Sequence, residues 1–165
     1  MEYVIAYPEE TSIGMAISLT QKDVRQIQLA KGALFVAART LLNHMNISAP
    51  DKILLAGAFG SFIDKTNAML IGMIPDCPLE NVFAVGNSAG DGARIALLNI
   101  EKRREASEVT ANLTRYELPT DPEFQNQFIQ AMNLPHMIEQ FPHIANLIPR
   151  GNSNSAKIKF TGEKD

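Results

Sequence analysis

Lys52-Ile53-Leu54-Leu55-Ala56-Gly57-Ala58-Phe59-Gly60 is an apolar run that gives way abruptly to small residues. Residues 53 to 56 are apolar without a gap and lie between Pro50 and Gly57, the pattern of a short strand buried on both faces of a parallel or mixed sheet. Gly57 and Gly60 then remove side chains, which permits positive φ and lets a ligand or a second backbone come close. The arrangement repeats downstream, where Val82-Phe83-Ala84-Val85 runs into Gly86-Asn87-Ser88-Ala89-Gly90-Asp91-Gly92-Ala93 and then into a helical pattern. Two strands that both open into glycine-rich turns match the ligand crevice at the carboxyl edge of an α/β sheet. On spacing alone, tight packing explains the same glycines.

Composition sets the class. The chain of 165 residues is 45% hydrophobic and 20% charged, enough for one ordered domain with a sizeable core. A net charge of -3 gives no support for nucleic-acid binding. The basic triplet Lys102-Arg103-Arg104 lies between Glu101 and Glu105 and reads as a solvated helix face. No apolar stretch approaches the roughly 18 residues of a membrane helix and no signal sequence opens the chain, so a cytoplasmic location is expected. Cys77, the one cysteine, cannot build a disulfide, zinc site or iron–sulfur site alone and reads as a structural loop residue.

Around the central stretch, Tyr3-Val4-Ile5-Ala6-Tyr7 and residues 14 to 19 are expected to pair as a hairpin. A hairpin opening the chain this way is what the later part of a longer protein would show. Thr20-Gln21-Lys22-Asp23 resembles a capping box, and the helix behind it places Val24, Ile27, Ala30, Leu34, Ala38, Leu41 and Met45 on one apolar face ending near Asn46. Gly32 interrupts that helix at about 1 kcal/mol relative to Ala, for close packing on the sheet or for contact with a ligand. Lys31 beside it is read as an exposed lysine or as one reaching a nucleotide. A second helix is expected at Ala68, Met69 and Ile71, ended by Gly72 and Pro75. Asn87 or Ser88 caps a third, whose narrow face is Ala89, Ala93, Ala96, Leu97 and Ile100. It continues to Leu113 with Val109 and Leu113 inward. Thr120-Asp121-Pro122-Glu123 starts another, with Phe124, Phe128, Ile129 and Met132 apolar and Leu134-Pro135 as its stop. A short helix broken by Pro142 is expected within residues 137 to 148. The domain is expected to span residues 1 to 149, followed by a disordered tail over 150 to 165.

Familiar catalytic constellations are missing. His44, His136 and His143 are too widely separated for a metal pair, and neither a Gly-x-Ser-x-Gly elbow nor a phosphate loop is present. The histidines read as surface or structural groups. Asp64 and Asp91 read as turn or cap residues, or as holders of a metal-bound water.

Three blocks carry a resemblance. Residues 19 to 33 (Leu-Thr-Gln-Lys-Asp-Val-Arg-Gln-Ile-Gln-Leu-Ala-Lys-Gly-Ala), 55 to 64 (Leu-Ala-Gly-Ala-Phe-Gly-Ser-Phe-Ile-Asp) and 85 to 93 (Val-Gly-Asn-Ser-Ala-Gly-Asp-Gly-Ala) resemble the C-terminal region of the ATP-dependent reductive activators of corrinoid proteins. The likeness extends to residues 124 to 135 and covers roughly residues 14 to 135. It implies an α/β fold, a half-domain of the actin-like ATPase class (ribonuclease H-like; acetate kinase, sugar kinase and Hsp70), with a small mixed sheet flanked by helices. By that likeness Gly57, Ala58, Phe59 and Gly60 form the turn on which adenosine rests, with backbone N–H groups turned to it. Gly86, Asn87, Gly90 and Gly92 shape the opposite wall and hinge. Lys31 joins the nucleotide-binding set, and Asn87 either bonds ligand or caps its helix. Many members have Gly-Gly where this chain has Gly57-Ala58, so the extra methyl leaves less room beside the nucleoside.

The resemblance also implies ATP with Mg²⁺ as cofactor, an iron–sulfur cluster only in the missing N-terminal part, and two partners. These are the corrinoid protein of a methyltransferase, returned from Co(II) to Co(I), and the N-terminal domains; a homodimer is possible. With no cysteine cluster and no early phosphate motif, the chain alone is expected not to turn over. Two further readings stay open. One is a non-catalytic interaction or dimerisation module of the same fold, the other part of a small-molecule kinase.

Overall fold

The computed structural model of the chain describes residues 2–57, 60 and 62–148; Ala58, Phe59 and the tail expected over 150 to 165 lie outside the described residues. In chain order the elements are β1 (Glu2–Ala6), β2 (Ile17–Thr20), α1 (Gln21–His44), β3 (Ile53–Leu55), α2 (Lys65–Leu70), β4 (Val82–Ala84), α3 (Ser88–Leu98), α4 (Ile100–Ala111) and α5 (Phe124–Ala131). Tight 3-10 turns occur at Pro8–Glu10, Leu79–Asn81, Leu118–Thr120 and Pro142–Ile144. The described strands form two separate pairs, β1 with β2 antiparallel and β3 with β4 parallel.

The expected hairpin is present, but its second strand begins at Ile17 rather than at Gly14. Thr11 takes up the difference. Its hydroxyl donates to the Met15 carbonyl at 2.8 Å and accepts the Met15 N–H at 3.2 Å, drawing residues 11 to 15 into the turn.

At the start of α1 the Thr20 N–H donates to the Asp23 carboxylate at 2.8 Å, and the Asp23 N–H donates to the Thr20 hydroxyl at 3.3 Å. The hydrogen bonds from Thr20 hold the Asp23 carboxyl below its ordinary value. Thr20→Ala is expected to lower stability by about 1 kcal/mol, read as a shift of the urea midpoint at unchanged slope. At the other end Asn46 turns left-handed (φ 55) and the Ile47 N–H reaches back to the Leu42 carbonyl, closing the helix where the sequence placed its end.

The buried face of α1 differs from the expected one. Lys31, Gly32, Phe35, Val36 and Thr40 are buried, whereas Ile27, Leu34, Leu41 and Met45 are exposed. The helix turns Phe35 and Val36 into a core shared with Ala68 and Met69 of α2, Ile74, Cys77, Val82 of β4, Ala131 of α5, Phe141 and Ile144. Gly32 packs against α5 rather than the sheet, since a Cβ there would lie 3.5 Å from Ala131 and Met132.

That core covers one face of the β3–β4 pair. Ile53, Leu55 and Val82 point into it, while Leu54, opposite Phe83 in the register, is 61% exposed. Burial on both faces, expected for the strand, is therefore replaced by one open face. The continuous apolar run did not distinguish the two sides.

Beyond β4 the expected single helix breaks at Asn99, whose carboxamide accepts from the Glu101 and Lys102 N–H groups at 2.9 and 3.1 Å and so caps a new helix. Arg103 returns across the break to the Ala96 carbonyl at 2.8 Å. Among the described residues α3 and α4 bury none, so Val109 and Leu113 point outward, not inward. In α5, Phe124 and Phe128 pack against the core, stacked 5.9 Å apart, but Ile129 is exposed. In place of the last expected helix, only the Pro142–Ile144 turn forms. It is tied down by His143, whose N–H donates to the Asp76 carboxylate and whose ring lies 2.5 Å from it.

Candidate functional site

The candidate site grows from the parallel register. Ile53 faces Val82 and Leu55 faces Ala84, so β3 and β4 end side by side. The Val85 N–H donates to the Leu55 carbonyl at 3.0 Å, and the ladder's next step is the Gly57 N–H to the Gly86 carbonyl at 2.8 Å. The two glycine turns are thus fastened to each other at one edge of the sheet. Both glycines are left-handed, at φ 95 for Gly57 and φ 67 for Gly86, a conformation that costs other residues roughly 1–2 kcal/mol.

The glycines divide by what surrounds them. A Cβ on Gly57, Gly86 or Gly92 would meet nothing within 4 Å, so these positions border open space. Gly60 is buried, and its Cβ would fall 2.5 Å from the Leu55 carbonyl oxygen, so the chain doubles back over its own strand there. Gly90 lies under the Asn87 carboxamide, which accepts its N–H at 3.1 Å and caps α3. Because the Gly57 N–H is donated to Gly86, Gly57 offers a ligand space beside the sheet rather than that donor.

The remaining candidates sit apart from the turns or act as caps. Asp64 caps α2 by accepting the Asn67 N–H at 2.7 Å, and Asp91 pairs with Arg94 on the exposed face of α3. His136 packs against Phe35 with centroids 4.9 Å apart and its Nδ1 accepts the Glu139 N–H at 2.9 Å. Burial, then the charges of Lys31 and Arg39, hold it below the ordinary histidine value. Cys77 is buried against the Pro50 carbonyl, and burial pushes its thiol up. Among the described residues no group of three or more His, Cys, Asp and Glu is placed to hold a metal ion, and no helix is long and apolar enough to cross a membrane.

Lys31 departs furthest from expectation. It is neither exposed nor directed at solvent; its residue is 0% exposed. Its ammonium donates to the carbonyls of Asn133 and Pro135, the latter at 2.6 Å. Burial pushes its pKa down to about 8. Periodicity sets Lys31 on the edge of the expected apolar face, one turn after Ile27 and two after Val24, but its charge marks it as a solvated residue. A further sequence signal for its burial is the neighbouring Gly32, which lets α1 approach the end of α5.

A parallel strand pair opening into paired glycine turns, flanked by helices, agrees with the actin-like ATPase (ASKHA) class, which the likeness to known proteins establishes. The family model described as the C-terminal domain of RACo, the ASKHA domain, matches residues 1–145, and the chain belongs to that family. The corrinoid activation enzyme RamQ of Eubacterium limosum is 38% identical over 122 residues, 73% of this chain and 21% of that protein. A solved reductive activator for a corrinoid iron–sulfur protein superposes with a TM-score of 0.75 at 32% identity, covering 82% of this chain and 22% of its own. The chain therefore spans about a fifth of the length of these relatives.

Proposed function

We propose that this chain is the C-terminal nucleotide-binding part of a cytoplasmic ATP-dependent reductive activator that returns the Co(II) corrinoid of a methyltransferase system to Co(I). The observation that carries the nucleotide reading is the Gly57–Gly86 hydrogen bond. It sets two left-handed glycines next to each other with open space where side chains would stand, a cradle suited to the flat face of a nucleoside. In this reading adenosine rests over Gly57, and Gly86 and Gly92 leave the opposite wall open. Asn87 holds the first turn of α3 in shape through Gly90. Lys31 takes no direct part, its ammonium being committed to carbonyls.

The open space beside Gly57, Gly86 and Gly92 suits a nucleoside; among the described residues no group of three or more His, Cys, Asp and Glu is placed to hold a metal ion. In the complete activator an iron–sulfur centre would supply the one electron that converts Co(II) to Co(I). This chain would contribute a nucleotide-dependent bias on how its neighbouring domains and the corrinoid protein sit. The chain alone is not expected to turn over.

Calorimetry with ADP and ATP on the 165-residue chain tests the reading. Gly57→Val puts a β-branched side chain into a left-handed position and into the open space, so it is expected to weaken nucleotide binding at least tenfold. Equal affinity in both proteins would refute the placement. A second reading, an interaction module without nucleotide, draws on the apolar surface of α3, where Leu98 is 80% exposed. Absence of binding to wild type at millimolar nucleotide, even after the chain is joined to the rest of its activator, favours that reading.

A further inference from the structure

A buried lysine without a carboxylate partner is costly, and Lys31 must be held by something else. Its two acceptors, the Asn133 and Pro135 carbonyls, belong to the loop that leaves α5 (Phe124–Ala131) after its cap at Met132. Gly32 brings α1 close enough for the side chain to reach them, its own backbone packing on Ala131 and Met132.

Pro135 also has a second neighbour. A Cβ on Gly72 would fall 2.0 Å from the Pro135 carbonyl oxygen, so the backbone that ends α2 lies directly against the group Lys31 holds. Gly72 is left-handed (φ 68), its N–H donates to Met69 and the Met73 N–H donates to Ala68, the double bond pattern that terminates a helix at glycine. At its other end α2 is capped by Asp64, a few residues after Gly60 folds back on Leu55. One carbonyl therefore links α1, the exit of α5 and the end of α2, and α2 leads back to the β3 turn.

We propose that Lys31 is a positioning residue for the nucleoside site: by holding the Pro135 carbonyl against Gly72 it fixes α2, and through α2 and Gly60, which packs on Leu55, the end of β3 beside Gly57. The part that concerns the nucleoside rests on the function proposed above; the coupling between Lys31 and the turn does not. The titratable group that feels the Lys31 charge is His136, after α5, which also feels Arg39; Arg39 is paired with Glu139 at 2.9 Å.

The test is an NMR titration of the ligand-free chain from pH 6.5 to 10, following the Lys31 Cε carbon and the backbone amides of wild type and Lys31→Met. Met keeps the side chain's apolar length and removes the charge. In wild type, the amides of Gly72 and Gly57 are expected to shift with the same midpoint as Lys31 itself, and in Lys31→Met that transition is expected to vanish from both. A transition confined to residues 133 to 137 overturns the proposal. Should the variant not fold, the shared or unshared midpoint in wild type decides alone. Where ADP binds wild type, Lys31→Met is expected to weaken it several-fold, and unchanged affinity counts against the positioning role. Failure of ADP to bind wild type sinks the nucleotide reading and leaves the titration to decide the coupling.

The linkage sign is fixed by the burial. A Lys31 released to water titrates near its ordinary 10.5 instead of about 8, so opening of this node takes up a proton between those values. Raising the pH through that window opposes opening by up to about tenfold per unit. The node is therefore tightest above the window and loosest below about pH 8.

Discussion

Phe35→Ala is expected to lower the free energy of unfolding by about 3–5 kcal/mol, the cost of emptying a fully buried aromatic site. Phe35 is 1% exposed, with its ring 4.9 Å from His136 and 6.1 Å from Phe141. It thus joins α1 to the two segments that close the core from the C-terminal side. The melting temperature, followed by circular dichroism, should fall by roughly 10 °C or more. The neighbouring Leu34 supplies the contrast, since it is largely exposed and Leu34→Ala should cost less than about 0.5 kcal/mol. A reversal of the two effects would mean that α1 is rotated from the orientation described.

Gly72→Ala should be the most damaging small substitution in the chain. Two penalties add there. An alanine at φ 68 costs roughly 1–2 kcal/mol of backbone strain, and its methyl would lie 2.0 Å from the Pro135 carbonyl oxygen. That oxygen belongs to the backbone and is held by Lys31, so it cannot swing aside as a flexible side chain would. A total loss of about 3 kcal/mol or more is expected, read from urea unfolding. Gly92→Ala is the opposite case, an exposed helix position whose Cβ meets nothing, and it should stabilise by about 0.5–1 kcal/mol. Equal effects at the two glycines would contradict the contact between α2 and the segment after α5.

The candidate site was legible because backbone chemistry wrote it. Left-handed turns at Gly57 and Gly86 demand glycine, and the strands before them are short apolar runs, so both features sit in the sequence as local patterns. The capping boundaries at Thr20 and Asp64 were legible for the same reason, being satisfied within a few residues. Harder to see was which glycines face a ligand. Gly60 and Gly90 carry the same letter as Gly57, yet their missing side chains make room for Leu55 and Asn87 rather than for open space.

The helices show where local pattern stops. In α1 a stripe through Ile27, Leu34 and Leu41 has the right period for a buried face, but the core takes the neighbouring stripe through Gly32, Phe35 and Val36. Periodicity detects that a helix has an apolar side; it does not choose between two sides when both carry large apolar residues. The choice fell to α5, which can approach only where Gly32 leaves room. The same partner decided the fate of Lys31, whose burial depends on carbonyls more than a hundred positions away in the chain. Local pattern was enough for the Gly57 and Gly86 turns, the Thr20 and Asp64 caps and the family. Which face of each helix is covered, which face of the sheet stays open and where the buried charge of Lys31 rests came from tertiary packing, because each depends on a partner distant in the chain.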